Sequence, residues 1–161
     1  MADTGTAGDR LHELLNRAVR ESLLLEAALE RETRALSTRD VDALQQAVNA
    51  KHQAVQGLEA LSREQAALLQ EGGFEADTAG MEACLQAWDL EGRVRPLWGR
   101  LQDSMERCRR HNQINGGLVQ SQQQQVQQAL HILRGEDTRT ELYDPRGRTV
   151  ASSGSRSISQ A

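Results

Sequence analysis

The sequence predicts an all-α fold: an antiparallel bundle of three long helices, joined through a short helix and followed by a flexible C-terminal tail. Aromatic residues are 2% of the 161 residues, too few for the half-buried faces of a β-sheet. Leu, Ala, Gln, Glu and Arg dominate, which is typical of long helices. Apolar residues also recur at steps of three and four. We expect a bundle domain over 1–135, with helices at about 9–37, 40–71 and 91–134, and a tail over 136–161.

The first helix is expected to begin after Asp9, which is a suitable N-cap residue. Ser37 and Thr38 offer a stop, and Asp40 offers a cap for the helix that follows. Ser22 and Glu32 occupy positions of the apolar stripe where a hydrophobic residue is expected. The full stripe is Leu11, Leu15, Ala18, Ser22, Leu25, Leu29, Glu32 and Leu36.

The second helix is expected to end at Gly72-Gly73, a strong helix terminator. Because the connection to the first helix is only a few residues long, the two helices should form an antiparallel hairpin. The predicted inward stripe is Val41, Leu44, Val48, Lys51, Val55, Leu58, Leu61 or Ser62, Gln65 and Leu68.

A short helix is predicted to follow, capped by Asp77 or Thr78, with four residues facing the core: Met81, Cys84, Leu85 and Trp88. The third long helix has a mean apolar repeat of ~3.5 residues, the value for left-handed supercoiled packing. Its phase continues through Asn115-Gly116-Gly117, which favours one unbroken helix up to Gly135. Its stripe is Val94, Trp98, Leu101, Met105, Cys108, Asn112, Asn115, Val119, Gln122, Val126, Ala129 and Leu133.

Three amides, Asn112, Asn115 and Gln122, occupy positions of this stripe where apolar groups are expected. An amide buried without partners costs about 1–3 kcal/mol. One interpretation is a satisfied polar layer that fixes the register of the bundle. The other is that this half of the helix is not buried in the free protein.

The predicted lengths favour an unfilled apolar face on the third helix. At 1.5 Å per residue, the first two helices are about 45–50 Å long and the third is about 60–65 Å. An amphipathic helix with an unfilled face is a docking surface for another helix or for a second copy. The alternative is that residues 74–90 fold over it. The candidate partner-binding residues are Asn115, Leu118, Val119, Gln122, Val126, Leu130 and Leu133.

The segment after Gly135 has balanced charges and no aliphatic clusters, so it cannot bury enough apolar surface to offset its ordering entropy. Residues 144–147, Asp-Pro-Arg-Gly, suit a type I turn between two short extended pieces. Tyr143 is the aromatic residue of this tail. It is either a short linear binding element or a side chain that docks back on the bundle.

The sequence gives no support for catalysis, because it contains none of the nucleotide-binding, nucleophile or zinc-protease motifs. We expect no cofactor and no metal: Cys108 and His111 are two possible ligands, which are not a zinc site. The net charge of −4 and the acidic residues that interrupt the arginine run at 93–110 disfavour nucleic acid. Two cysteines and the absence of a signal or membrane-spanning segment indicate a cytoplasmic protein.

Taken in order along the chain, these features resemble the FlgN family of flagellar type III export chaperones. The matching residues are Lys51 with Val55, Leu58 and Leu61; Asn112, Asn115 and Gly116; Leu130 and Leu133; Leu142, Tyr143, Gly147 and Thr149; and Ile158-Ser159. Gly117 departs from the pattern, where a bulkier residue is expected, and the first loop and the tail are longer.

The resemblance implies a non-enzymatic chaperone for the hook-associated proteins FlgK and FlgL. Such a chaperone binds their C-terminal helical segments through its own C-terminal portion, prevents premature assembly and delivers them to the export gate. Tyr143 resembles the element that docks on the gate protein FlhA. The residues alone leave two other hypotheses open: a self-associating coiled-coil protein, and an RNA-binding regulator based on the arginine run.

Overall fold

The computed structural model describes residues 3–133, 141–143 and 149–151, with His131 and the strands described by their backbone. Its elements are α1 (Thr4–Thr38), α2 (Val41–Glu71), α3 (Thr78–Trp88), α4 (Val94–Leu133), β1 (Glu141–Tyr143) and β2 (Thr149–Ala151). Helices α1, α2 and α4 pack together, which confirms the all-α prediction. The chain divides into two compact units, Met1–Leu118 and Val119–Ala161.

Within the first unit, α1 and α2 are antiparallel, whereas α4 runs parallel to α1. The ion pairs between helices establish both directions. Residues in the first half of α1 pair with residues near the end of α2, whereas going along α1 from Asp9 to Glu26 the partners go forward along the chain from Arg93, just before α4, to Arg107. These pairs are Arg10–Glu71 and Arg17–Glu64 between α1 and α2, and Asp9–Arg93 and Glu26–Arg107 between α1 and α4.

Helix α1 begins at Thr4, earlier than the sequence suggests, with Asp3 rather than Asp9 as its N-cap. Tertiary packing explains the extra turn: Ala7 and Gly8 are buried, and a Cβ at Gly8 would lie 2.7 Å from the Trp88 carbonyl oxygen. The backbone of α1 therefore lies directly against the end of α3. The stripe predicted for α1 is buried along its length, including Ser22 and Glu32.

The helix ends otherwise follow the predicted signals. Asp40 caps α2 by accepting a hydrogen bond from the Ala43 backbone N–H at 3.0 Å. Gly73 follows α2 with a φ of +81°, a left-handed conformation that favours glycine. Asp77 caps α3. Asp89 accepts hydrogen bonds from the first two backbone N–H groups of α4, both at 2.9 Å.

The larger hydrophobic core lies around α3, whose predicted inward residues are all buried. Trp88 contacts Phe74 edge-on, with ring centroids 5.3 Å apart. Because its apolar side chains are used in this core, α3 is a structural part of the first unit. The core contains Ala7, Leu11, Leu14, Leu15 and Ala18 of α1, Leu61, Leu68 and Leu69 of α2, Met81, Cys84, Leu85 and Trp88 of α3, and Val94, Leu97 and Leu101 of α4.

A second, smaller core lies farther along the three long helices and consists of Leu25, Leu29, Ala54 and Cys108. On α2, the buried positions in this half of the helix are alanines, Ala47 and Ala54. The predicted stripe on α2 is therefore partly wrong: Val41 and Val55 are exposed. Because alanines occupy the buried positions here, the helices need little space between them. Val41 and Val55 lie beside this contact rather than in it.

Helix α4 is continuous across Gly116-Gly117, as the uninterrupted apolar phase predicts. It contains 40 residues, about 60 Å at 1.5 Å per residue. Its predicted stop at Gly135 lies outside the described residues.

In the tail, β1 and β2 are the two expected extended pieces and pair antiparallel, with Tyr143 opposite Thr149. The predicted turn between them also lies outside the described residues.

Candidate partner-binding site

A buried polar cluster joins the three long helices beyond the smaller core. Glu32 of α1 forms an ion pair with Lys51 of α2, with Oε2 and Nζ 2.7 Å apart. Asn115 of α4 donates from Nδ2 to Glu32 Oε1 at 2.9 Å and to the Leu29 carbonyl oxygen at 3.0 Å. Thr33 Oγ1 donates to Asn115 Oδ1 at 2.6 Å. Each long helix thus contributes a polar side chain to one contact.

The three amides of the α4 stripe therefore have different environments. Asn115 is 2% exposed and has hydrogen-bond partners at both ends of its amide, so it fits the polar-layer interpretation. It does not reach the surface to which a partner has access. Asn112 is exposed, and Gln122 is half-buried. All three follow the same spacing in the sequence, so spacing alone assigns them to one stripe.

An open groove lies between α2 and α4, close to the polar cluster. Its volume is about 990 Å³, and α1 forms its floor through Leu25 and Leu29. Cys108 of α4 also lines it, as do Val55 of α2 and Met105 of α4. Val55 and Met105 are 36% and 38% exposed, so each wall presents a large apolar side chain to solvent.

This groove explains why the predicted α4 stripe is only partly buried. Leu97 and Ser104 are buried against the bundle, whereas Met105 and Asn112, assigned to the seam by their spacing, line the groove. Sequence reasoning did not find this site. The available signal was the polar residue in each facing stripe, Lys51 on α2 and Asn112 on α4.

In the second unit, α4 carries a series of exposed aliphatic side chains. Val126 is 59% exposed and Leu133 is 82% exposed, and Val119 and Leu130 are also exposed. Leu118, the last residue of the first unit, is half-buried. Ile132 is exposed as well and was absent from the predicted set. The candidate residues from Val119 onward, apart from the half-buried Gln122, are therefore accessible to a partner.

The tail candidate, Tyr143, is the last residue of β1. Its backbone pairs with that of Thr149 in β2. Residues 144–148, which include the predicted turn, lie outside the described residues. The role of Tyr143 thus stays a prediction from sequence.

Cys108, one of the two residues considered as metal ligands from the sequence, is engaged in another contact. The Cys108 thiol is buried and donates to the Ser22 carbonyl oxygen at 3.6 Å. Burial raises its pKa, and the Glu26 carboxylate adds to the effect. Among the described residues, Glu26, Glu30 and His111 bring ligand atoms within 4.8 Å of one another. Within this group, Glu26 is held by Arg107 at 2.7 and 3.2 Å, in an ion pair between α1 and α4.

The arginine run at 93–110 is largely occupied by carboxylates of the same chain. Arg109 pairs with Glu106 one turn away and Arg93 with the nearby Glu91, whereas the other pairs join separate segments. Arginines engaged in this way present less free positive charge to a phosphate backbone. The remaining pairs are Arg93 with Asp9 and Glu91, Arg95 with Glu82, and Arg107 with Glu26.

A helical bundle with an open apolar groove, together with an amphipathic helix that exposes aliphatic side chains, is suited to binding helices of other proteins. This is the class of protein that the geometry defines.

The family model described as FlgN protein matches residues 1–151, and the chain belongs to the FlgN family. That family consists of flagellar export chaperones and is not enzymatic. No curated protein and no solved structure matches the chain. No helix within the described residues combines the length and apolar character needed to cross a bilayer.

Proposed function

We propose that this protein is a cytoplasmic export chaperone for the hook-associated proteins FlgK and FlgL. It binds their C-terminal helical segments, prevents their premature assembly and delivers them to the export-gate protein FlhA. Binding of a partner helix by an amphipathic surface is a common form of peptide recognition. It gives the reversible affinity that delivery requires.

The exposed aliphatic side chains of α4 are the observation that carries this proposal. We assign partner contact to Leu118 and Gln122, which are half-buried, and to four exposed aliphatic residues of the same helix. Asn115 has an indirect role: its hydrogen bonds to α1 hold the helix immediately before these residues. The exposed contact residues are Val119, Val126, Leu130 and Leu133.

The test is the double substitution Val126→Asp with Leu130→Asp, assayed by calorimetric titration with purified FlgK. We expect binding to be lost while the circular dichroism spectrum is unchanged, because both side chains are exposed. The matched control is Gln124→Asp with Gln128→Asp, which adds the same charge at the same spacing to the opposite face of α4. Equal losses in both variants would contradict the assignment of this face.

Delivery is tested separately with Tyr143→Ala and the cytoplasmic domain of FlhA. We expect this variant to bind FlgK normally and to lose binding to FlhA, with Tyr143→Phe retaining more of it because the ring remains. Wild-type affinity of Tyr143→Ala for FlhA would refute the assignment of Tyr143.

Self-association is the second candidate function, because the same exposed aliphatic residues could meet a second copy. Light scattering of the purified chain distinguishes the two. A stable dimer without FlgK, disrupted by the Val126 and Leu130 substitutions, would favour self-association. A monomer that forms a complex with FlgK favours the chaperone.

A further inference from the structure

We propose that the groove between α2 and α4 holds a short amphipathic helix of the exported partner, with aliphatic side chains inward and a basic residue at one end. This proposal rests on the chaperone function and adds a second contact site to it. The groove is separate from the α4 residues assigned above, since its lining residues all precede Leu118.

The dimensions of the groove fit a helix of two to three turns. Along α2 its wall extends from Lys51 to Glu59, and along α4 from Gln102 to Asn112. At 1.5 Å per residue these walls are about 12 and 15 Å long. The volume of about 990 Å³ between them is open to solvent. A helix seated there would pack against three others, as in a four-helix bundle.

The floor and walls call for aliphatic side chains on the occupant. Leu25, Leu29 and Cys108 form an apolar floor, and Val55 and Met105 extend it up the two walls. Met105 has a flexible, polarizable side chain that adapts to differently shaped partners. An apolar stripe on one face of a helix would remove these groups from water.

The rim of the groove is polar, and apart from His52 and Glu59 its ionisable side chains are paired within the chain. Lys51 is paired with Glu32, and Arg109 with Glu106. Amide side chains occupy much of the rest of the rim and can hydrogen-bond to uncharged polar residues on the flanks of a helix. The rim amides are Gln56, Gln102 and Asn112.

Charge at one end of the groove favours a partner over a second copy. Glu59 and Gln102 lie at the same end, because α2 and α4 are antiparallel, and Glu59 supplies a carboxylate there. A Lys or Arg on the occupant would complement it. The amphipathic segment 118–133 of a second copy contains no Lys or Arg and lacks this complement.

The first test measures FlgK affinity for Val55→Asp with Met105→Asp. We expect Kd to rise by about tenfold or more, since two side chains that contact the occupant become charged. The matched control is Leu23→Asp with Leu24→Asp, which alters two exposed leucines of α1 outside the groove. Glu59→Lys should raise Kd as well, and Glu59→Gln should do so by less.

The second test does not depend on disrupting the groove. A photoreactive benzoylphenylalanine replaces Gln56, an exposed rim residue, and its adducts in the presence of FlgK are mapped by mass spectrometry. We expect adducts on one helical segment of FlgK that has an aliphatic stripe and a basic residue. Adducts on a second copy of the chain, or none on FlgK, would overturn the proposal.

The outcomes separate this proposal from the proposed function. If the groove variants are folded and bind FlgK normally while the Val126 and Leu130 variant does not, the groove proposal fails and the chaperone function stands. If the wild-type chain does not bind FlgK or FlgL, both fail together.

Discussion

Replacing Lys51 by Met is the sharpest test of what holds the three long helices together. Lys51 is the only lysine of the sequence, and its ammonium group lies 2.7 Å from Glu32 Oε2. Met keeps an unbranched stem of similar length but removes the charge. The Glu32 carboxylate then stays in a buried position, where its side chain is 6% exposed, with the amide of Asn115 as its main remaining partner.

The magnitude follows from the burial of the pair. Removing one partner from a fully buried ion pair costs about 3–5 kcal/mol, because the other charge is left uncompensated. The Lys51 side chain is 23% exposed, so water reaches one side of the pair and we expect about 2–4 kcal/mol. For a chain of this size that loss lowers Tm by roughly 4–16 °C.

Urea and thermal denaturation followed by circular dichroism measure this effect. Glu32→Gln in the Lys51→Met background should restore part of the loss, since no buried charge remains and the hydrogen bond from Asn115 is retained. The control is Arg10→Met, which breaks the exposed Arg10–Glu71 pair and should cost less than about 1 kcal/mol. A Lys51→Met loss no larger than that of the control, or no recovery in the double variant, would refute the proposed role of the pair.

Three further predictions concern a helix cap, two glycines and two thiols. Burial opposes ionisation of Asp89, but hydrogen bonds from the first backbone N–H groups of α4 outweigh it and hold its pKa below the ordinary 3.8. Asp89→Asn should destabilise the protein by about 1 kcal/mol at pH 7, because the amide has one accepting oxygen for the two N–H groups that the carboxylate binds. In urea titrations at several pH values, this difference should disappear as pH falls below 3.8 through the lowered pKa of the folded state. Gly116→Ala and Gly117→Ala should each raise the free energy of unfolding by about 0.5–1 kcal/mol in urea titrations, because a Cβ there meets nothing within 4 Å. Burial raises the pKa of Cys84 to about 11 and also raises that of Cys108, so Ellman's reagent at pH 8 should react with both thiols only after denaturation; rapid reaction of the native protein would contradict their burial.

Much of the fold was predictable because local signals and packing agree. The α1 stripe is buried as its spacing indicates, even where Ser22 and Glu32 interrupt the apolar pattern. The continuity of α4 was also predictable: the apolar phase continues through Gly116-Gly117, and two glycines cost less than the packing on either side provides. The start of α1 was not predictable, because its first turn depends on contact with Trp88, a residue distant in sequence.

The groove was the main feature that spacing could not reveal. Apolar periodicity identifies the face of a helix that is capable of burial, but not how close the neighbouring helix comes. On α2, the buried positions in this half of the helix are Ala47 and Ala54, and Val55 is exposed beside them. On α4, Met105 lies at the opposite wall of the groove. The faces of α2 and α4 whose spacing predicts a closed contact are thus separated by the open groove.

The buried polar cluster connects this packing to the proposed binding function. A slip of α4 by one turn, about 5.4 Å, would take Asn115 away from Glu32 and leave buried polar groups without partners, at about 1–3 kcal/mol for each. One register of α4 is therefore favoured, and the groove keeps its shape before a partner arrives. An all-leucine stripe would give α4 no such preference for one register. We infer that these polar residues, which interrupt the apolar stripes in the sequence, hold α4 in the register that leaves the groove open.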